Sequence, residues 1–441
     1  MKSKITILII AIIYIFIVFN KRAYKENKVL EWDKMGYYIY LPAIFIYDDL
    51  NNFGFYDKYN QMYHFTPYGT SCGINKLSNG NCINKYTMGV SLLQLPFFFV
   101  GHILTFFDHS LPQDGFSEYY LLLLSLSGCF YVILGLIFLR LLLLDYFSES
   151  TVTFVLILIA FGTNLYEYTV FDYCMSHPYS FFLFSGTLLF SHKFYSNWKY
   201  CNIILASLFL GMIVITRPTN ILILVAIIFW DIRDWLCLKY RVKQLNENKF
   251  KIVLGLLFFF MIISIQLCYW KYATRNWLYY SYGSERFNFL DPEILRGLFS
   301  YRKGWFVYTP LAFITLFGFI PTYNKHKIMT LGMVLFLCLH IYITFSWWQW
   351  YYGGGFGSRP MIEVTALLSF PLAILVDFIK KQKKYFYYTV KLILLFLTCL
   401  SVFQSYQYSL SIIPYDHVNE KYYWRVFGKI SVTDVDKKLL D

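Results

Sequence analysis

Charge is scarce in this 441-residue chain: only 15% of residues are Asp, Glu, Lys or Arg. Soluble proteins carry about 25%. That shortage, set against 58% hydrophobic residues, excludes a soluble enzyme and a disordered tail protein. The nine cysteines include no C-x-x-C pair, so no cysteine metal pair is offered and a disulfide-rich secreted scaffold is excluded. Neither a P-loop nor a GxGxxG following a strand is present. Alternating segments of about ten residues, the mark of an outer-membrane barrel, are missing too. So are internal repeats and low-complexity tracts.

Long apolar runs are what the chain has instead. Length alone would allow about three soluble domains, but apolar stretches recur from end to end and the mean hydropathy is positive. The expected fold class is all-α: a polytopic helical membrane protein. Net charge is +13, and the short basic runs mostly separate apolar spans. They read as topology signals and not as a nucleic-acid surface, so no nucleic-acid partner is expected. Cys72 and Cys82 lie ten positions apart in a polar loop and could pair in an oxidising compartment.

Met1 to Lys4 precedes an apolar stretch, Ile5 to Phe19, with no cleavage-site pattern after it, which predicts an uncleaved first helix. Further spans are expected over 86–107, 119–144, 151–165, 178–192, 200–216, 218–232, 251–270, 304–322, 328–347, 361–379 and 385–408. Basic loops 231–251, 380–384, 325–327 and 193–199 mark one side, read as cytoplasmic. The other side then takes 20–85, 163–177, the Arg217 turn, 271–303, 346–360 and 409–441. Loop 108–117 has no Lys or Arg and falls on that same side. Segment 86–107, with Pro96 at its middle, is therefore expected to be broken or re-entrant, giving about eleven crossings plus this segment. The organisation expected is a transmembrane domain over 1–408, including the first exterior loop 20–85 with juxtamembrane helices, and a short exterior tail, 409–441.

The spans are nearly free of charge; Lys391, His102 and His340 are isolated and read as packing or snorkelling residues. Polar chemistry is confined to five exterior pieces. In EWDKMGYYIYLPAIFIYDDL, Asp33 follows the first helix, and Tyr40, Leu41, Ile44, Phe45 and Tyr47 can form an apolar face lying along the membrane. Asp33 is either a solvated interfacial acid or a carboxylate held where a lipid-borne head group arrives. In GTNLYEYTVFDYCMSHPYSF, Asp172 and His177 are five apart, near Glu167. They either pair with each other or serve a substrate hydroxyl. In ITRPTN, Arg217 sits at a helix break, paired with a loop acid or free for a phosphate or carboxylate. Tyr301, Arg302 and Lys303 precede Gly304; they snorkel to head groups or grip phosphate. In SWWQWYYGGGFGSRP, Trp350 and its neighbours suit a sugar ring or a lipid groove. The glycines allow close backbone approach, and Arg359 is the leading phosphate ligand.

Together these pieces, with KYTMGVSLLQLPFF, resemble the GT-C superfamily of membrane glycosyltransferases. The branch most similar is the bacterial one near the protein O-mannosyltransferases and lipid A aminoarabinose transferases, and the resemblance spans most of residues 1–410. It implies a sugar donor carried on polyprenyl phosphate and work on the outer face of a cytoplasmic (inner) membrane. Asp33 would be the general base for an acceptor hydroxyl, which attacks the anomeric carbon with inversion. Arg359, Arg302 and Arg217 would stabilise the departing phosphate. Asp172 would match a second acid, and His177 would position sugar or acceptor. No cofactor is implied; a divalent metal is not indicated. The family's Asp-Glu pair is replaced here by Asp33-Lys34, and a large exterior domain is replaced by 409–441. The second difference favours a lipid-linked glycan over a protein acceptor. The competing expectations are a lipid or glycan transporter of the flippase kind and another transferase using the same carrier. Asp33, Asp172 and Arg359 are expected within about 15 Å of one another, the span of an ordinary pocket.

Overall fold

The computed structural model describes residues 1–66 and 72–440. It is helical almost throughout; the strands among the described residues are a short antiparallel pair, β1 (Ile74–Lys76) and β2 (Cys82–Asn84). Among the described residues, six helices are long and apolar enough to cross a membrane. They are α1 (Lys2–Lys21), α5 (Gly89–Phe107), α6 (Glu118–Leu144), α13 (Lys249–Thr274), α18 (Lys327–Phe345) and α20 (Lys384–Ser409). Between α1 and α5 lie three short helices, α2 (Asp33–Tyr38), α3 (Tyr40–Phe45) and α4 (Tyr56–Tyr63). After α6 come α7 (Glu149–Gly162), α8 (Leu165–Val170), α9 (Ser176–Asn197), α10 (Tyr200–Thr216), α11 (Ile223–Ile228) and α12 (Trp235–Glu247). The segments α14 (Ile294–Phe299), α15 (Trp305–Tyr308), α16 (Pro310–Leu316) and α17 (Phe319–Lys325) follow α13. Then α19 (Val364–Lys380) precedes α20, and the tail holds α21 (Glu420–Val426) and α22 (Asp434–Lys437).

Burial sorts these helices into an inner and an outer set. The apolar windows of α13 and α20 are only 17% buried, against 56% for α6 and α18. Phe260, Leu392 and Phe396 stand well exposed on the outer set. Water would not tolerate so much contiguous apolar surface, whereas hydrocarbon requires it. The chain is built as an integral membrane protein.

Polar contacts gather at the two ends of the bundle. At one end the four basic loops meet. The Ile328 N–H donates to Arg233 O, His192 binds both Asp145 and Asp231, and the Lys380 ammonium reaches Ser150. The other end collects the loops after α1, α7, α10, α13, α18 and α20. Loop 108–117 joins them, since Tyr38 donates to Gly115 O and Tyr63 to Asp114.

Four sequence expectations meet a different structure. The helix α5 runs unbroken through Pro96. Its course is nonetheless short of the basic end. Thr87, just before it, donates to Thr216 O, and Leu93 O accepts from Tyr131 of α6 at 2.7 Å. From Tyr131, α6 continues about 20 Å further, to Leu144. The N-terminal part of α5 thus lies level with the middle of α6, while Gly101 packs against Tyr120 near the start of α6. The stretch 304–322 is not one helix but α15, α16 and the start of α17. Thr309, with φ −138°, separates the first two ahead of Pro310, which has no N–H to carry the helix through. Cys72 and Cys82 are free thiols. The apolar face expected around α3 is divided: Tyr40 and Leu41 are buried, while Ile44 and Phe45 stay exposed.

Candidate active site

Asp33 opens α2, and its carboxylate faces Arg359 from the far end of the sequence. Arg359 Nη2 donates to Asp33 Oδ2 at 2.8 Å, and the Tyr86 hydroxyl donates to Oδ1 at 2.6 Å. The close approach of Tyr86 depends on Gly36: a Cβ there would lie 2.3 Å from the Tyr86 ring. Burial alone would raise the Asp33 pKa, but the Arg359 charge and the Tyr86 hydrogen bond hold it below the usual carboxylate range. Arg359 is pushed the other way, above its ordinary value, because the Asp33 charge outweighs its burial.

The glycine run delivers Arg359. Gly355 has φ +151°, and a Cβ there would lie 2.6 Å from the Tyr168 hydroxyl, so only glycine lets the loop pass. Tyr168 then donates to Phe356 O and accepts from the Phe356 N–H. Asn164 Nδ2 donates to Ser358 O, which fixes the residue before Arg359. Non-glycine residues with positive φ occur in three of the segments that bring a site residue: Trp32 (φ 55°), Cys174 (φ 63°) and Tyr352 (φ 56°). Such conformations are uncommon and concentrate where function demands a backbone shape.

Asp172 and His177 do not pair with each other. Asp172 takes Lys34 at 3.0 Å, so the lysine following Asp33 has its own carboxylate. His177 begins α9, beyond the turn at 172–175, and its Nδ1 lies 3.1 Å from Glu363 Oε1. Arg217 Nε lies 3.4 Å from the same oxygen, and Arg217 Nη1 donates to Ser176 Oγ. Glu363 is fully buried, and its second oxygen has no partner, as is true of His177 Nε2. Tyr37 lies within electrostatic reach of both Arg217 and Arg359, so two arginine–carboxylate pairs flank it.

Tyr301, Arg302 and Lys303 belong to a neighbouring cluster and not to the Asp33 pair. Arg302 makes a bidentate bridge to Asp416 at 2.6 and 2.8 Å and lies over the Tyr351 ring. That bridge occupies the guanidinium expected to bind phosphate. Lys303 is buried and donates to Gly355 O and to Tyr415 O, tying the glycine loop to the tail. Burial lowers its pKa to about 7. Tyr301 packs on Tyr423 and accepts from Trp424 Nε1. Trp350 meets Tyr351 edge-on, ahead of the glycines. Glu167 is fully buried in α8 without an ion-pair partner among the described residues, and burial raises its pKa well above the usual value despite Ser405.

Depth follows from contacts with α6. Cys174 Sγ contacts Leu124 O, and Cys129 Sγ contacts Thr169 O. These contacts fall about 9 Å and about 16 Å down α6 from Glu118. No group of three metal-ligating side chains occurs among the described residues.

Sequence reasoning passed over Glu363, Tyr86 and Asp416. Glu363 carried the plainest signal, as the acid leading into the apolar span Val364–Val376, a placement that demands a partner.

No family model and no curated protein matches the chain. Among solved structures, its fold is similar to the archaeal oligosaccharyltransferase AglB from Archaeoglobus fulgidus, in complex with an inhibitory peptide and a dolichol-phosphate. Identity is 10%, the TM-score is 0.41, and the match covers 82% of this chain and 52% of that one. The chain spans about half the length of that protein. At that score the likeness carries no correspondence of residues or chemistry.

Proposed function

We propose that the protein is a membrane glycosyltransferase that moves a sugar from an isoprenoid-phosphate carrier to an acceptor hydroxyl. The observation that carries this reading is the Asp33–Arg359 juxtaposition, a partly buried carboxylate beside a guanidinium. A carboxylate can take the acceptor's proton. A guanidinium can hold the phosphate and stabilise the charge it gains on leaving. Attack is in line, so the anomeric centre inverts.

We read eleven passes between the two ends, with α5 reaching only part of the way, and assign the site to the face away from the basic loops. In a cell envelope that is the exterior face of the cytoplasmic membrane. An apolar groove of about 340 Å³, lined by Phe299, Phe306, Pro310, Phe313, Ile314, Ile393 and Leu397, starts two residues before Tyr301. It is our candidate for the carrier's first isoprene units. Asp172 and His177 are assigned to the sugar and acceptor, and Arg217 with Tyr301, Arg302, Lys303 and Trp350 to shaping the recess. The acceptor class that fits is a lipid-linked glycan. The test is transfer by purified protein in lipid vesicles, from isoprenoid-phosphate sugars to lipid-linked glycans. Transport of the same lipids without transfer would instead identify a flippase.

A further inference from the structure

Asp33 is engaged on both oxygens. Oδ1 accepts from Tyr86 and Oδ2 from Arg359. Each oxygen keeps a second lone pair for an incoming hydroxyl, but the Arg359 charge against Oδ2 makes the carboxylate a weaker base as long as the bridge stands. The neighbouring cations are committed elsewhere. Lys34 has Asp172, Arg217 has Glu363, Lys85 has Glu285 and Arg302 has Asp416. Arg359 differs from all of them, because its partner is the group that would react. Its other terminal nitrogen, Nη1, reaches only the Met175 sulfur, at 3.9 Å, a weak acceptor.

We propose that Arg359 exchanges partners during the reaction: the phosphate of the donor takes it from Asp33, and that exchange frees Asp33 to act as base. This rests on the proposed reading of the site as one for an isoprenoid phosphate. Phosphate can engage a guanidinium through two parallel bonds, whereas Asp33 offers one oxygen. The exchange also changes Asp33. Burial pushes its pKa up, and the Arg359 charge is the largest influence pulling it down. Moving that charge onto phosphate removes the largest of the lowering influences and so strengthens the base only while donor is bound. The acceptor O–H proton then passes to Asp33 Oδ2. The acceptor oxygen bonds to the anomeric carbon as the bond from that carbon to the phosphate oxygen breaks. The electron pair leaves with the phosphate, whose added negative charge falls on Arg359, so the grip tightens as the transition state forms. Tyr86 keeps its bond to Oδ1 and holds the carboxylate in place throughout. The same arrangement suppresses proton abstraction when no donor is present.

The experiment is binding of farnesyl phosphate to the full-length protein in detergent, followed by calorimetry. Asp33 competes with phosphate for Arg359, so Asp33→Asn binds about tenfold tighter than the parent. Asp33→Ala, which cannot bridge at all, shows a similar gain and covers the case in which Asn disturbs folding. Arg359→Gln binds at least about tenfold more weakly. Equal or weaker binding by both Asp33 variants overturns the exchange. Inorganic phosphate and phosphatidylglycerol are separate arms. If either shows the Asp33→Asn gain while farnesyl phosphate does not, the exchange stands and the isoprenoid reading fails. If none of the three binds the parent protein, both fail.

Discussion

The two polar ends of the bundle solve the same problem in different ways. At the basic end, His192 sits between Asp231 at 2.7 Å and Asp145 at 3.1 Å, and Tyr146 also reaches Asp231. One histidine there satisfies two acids, one just after α6 and one just after α11. At the opposite end, the pairs join residues far apart in sequence, such as Asp33 with Arg359 and His177 with Glu363. They also leave Glu363 Oε2 and His177 Nε2 without partners. Buried polar groups are normally satisfied. A cluster that leaves charged and titratable atoms unpaired has capacity for something else, and one that closes on itself does not. The His192 cluster reads as a fastening and the Glu363 cluster as open to a further partner, although Arg241 Nη1 and His326 Nδ1 at the basic end are also unpartnered.

The comparison can be broken most forcefully at Arg359. Arg359→Gln removes the cation facing Asp33, and transfer should fall at least about 100-fold, the scale of a lost charge-stabilising group. At the basic end, Asp231→Asn should leave transfer within about twofold while lowering the thermal midpoint. Equal loss of transfer from both variants would erase the distinction between the ends. Glu363→Ala strands Arg217 and His177, and breaking such a buried pair costs about 3–5 kcal/mol. Thermal unfolding in detergent measures it, and an unchanged midpoint would show that the cluster is not a coupled unit.

Smaller effects sharpen the picture. Glu167 is held neutral in the folded state but ionises in the unfolded chain. Between its unfolded pKa of about 4.3 and its raised folded value, the native state binds more protons, so stability declines as pH rises through that window. Glu167→Gln should remove the decline and raise the midpoint at pH 7 but not at pH 4. Lys303 has the opposite sign. Its folded pKa is about 7, so between about pH 7 and about pH 10.4 the unfolded state binds more protons. Docking of the 409–440 tail should therefore tighten as pH rises across that range. Hydrogen exchange over the tail reads it, and Lys303→Met should flatten the dependence.

Much of the architecture was legible because lipid enforces simple rules. Apolar runs marked the helices, and Lys and Arg sorted the loops into the two groups that meet at the two ends. Pro96 misled, because a proline within a helix need not break it where neighbouring side chains compensate. The segments that carry Asp33, Asp172, Arg217 and Arg359 were visible as polar islands in aromatic, membrane-level sequence. Their partners were not. Asp172 and His177, five apart, suggested each other, yet the turn at 172–175 sends one to Lys34 and the other to Glu363. Arg302 was expected to face phosphate, and Asp416 of the tail holds it instead. Sequence spacing constrains neighbours along one helix, but it does not say which of several distant loops will fold over the same recess.

The account depends most on Asp33, and the direct test is single-turnover sugar transfer by Asp33→Asn with donor and acceptor both saturating. A loss of about 100- to 10,000-fold, the usual contribution of a general base, is expected, with cooperative unfolding and carrier binding retained. Full transfer by that variant would contradict the central claim.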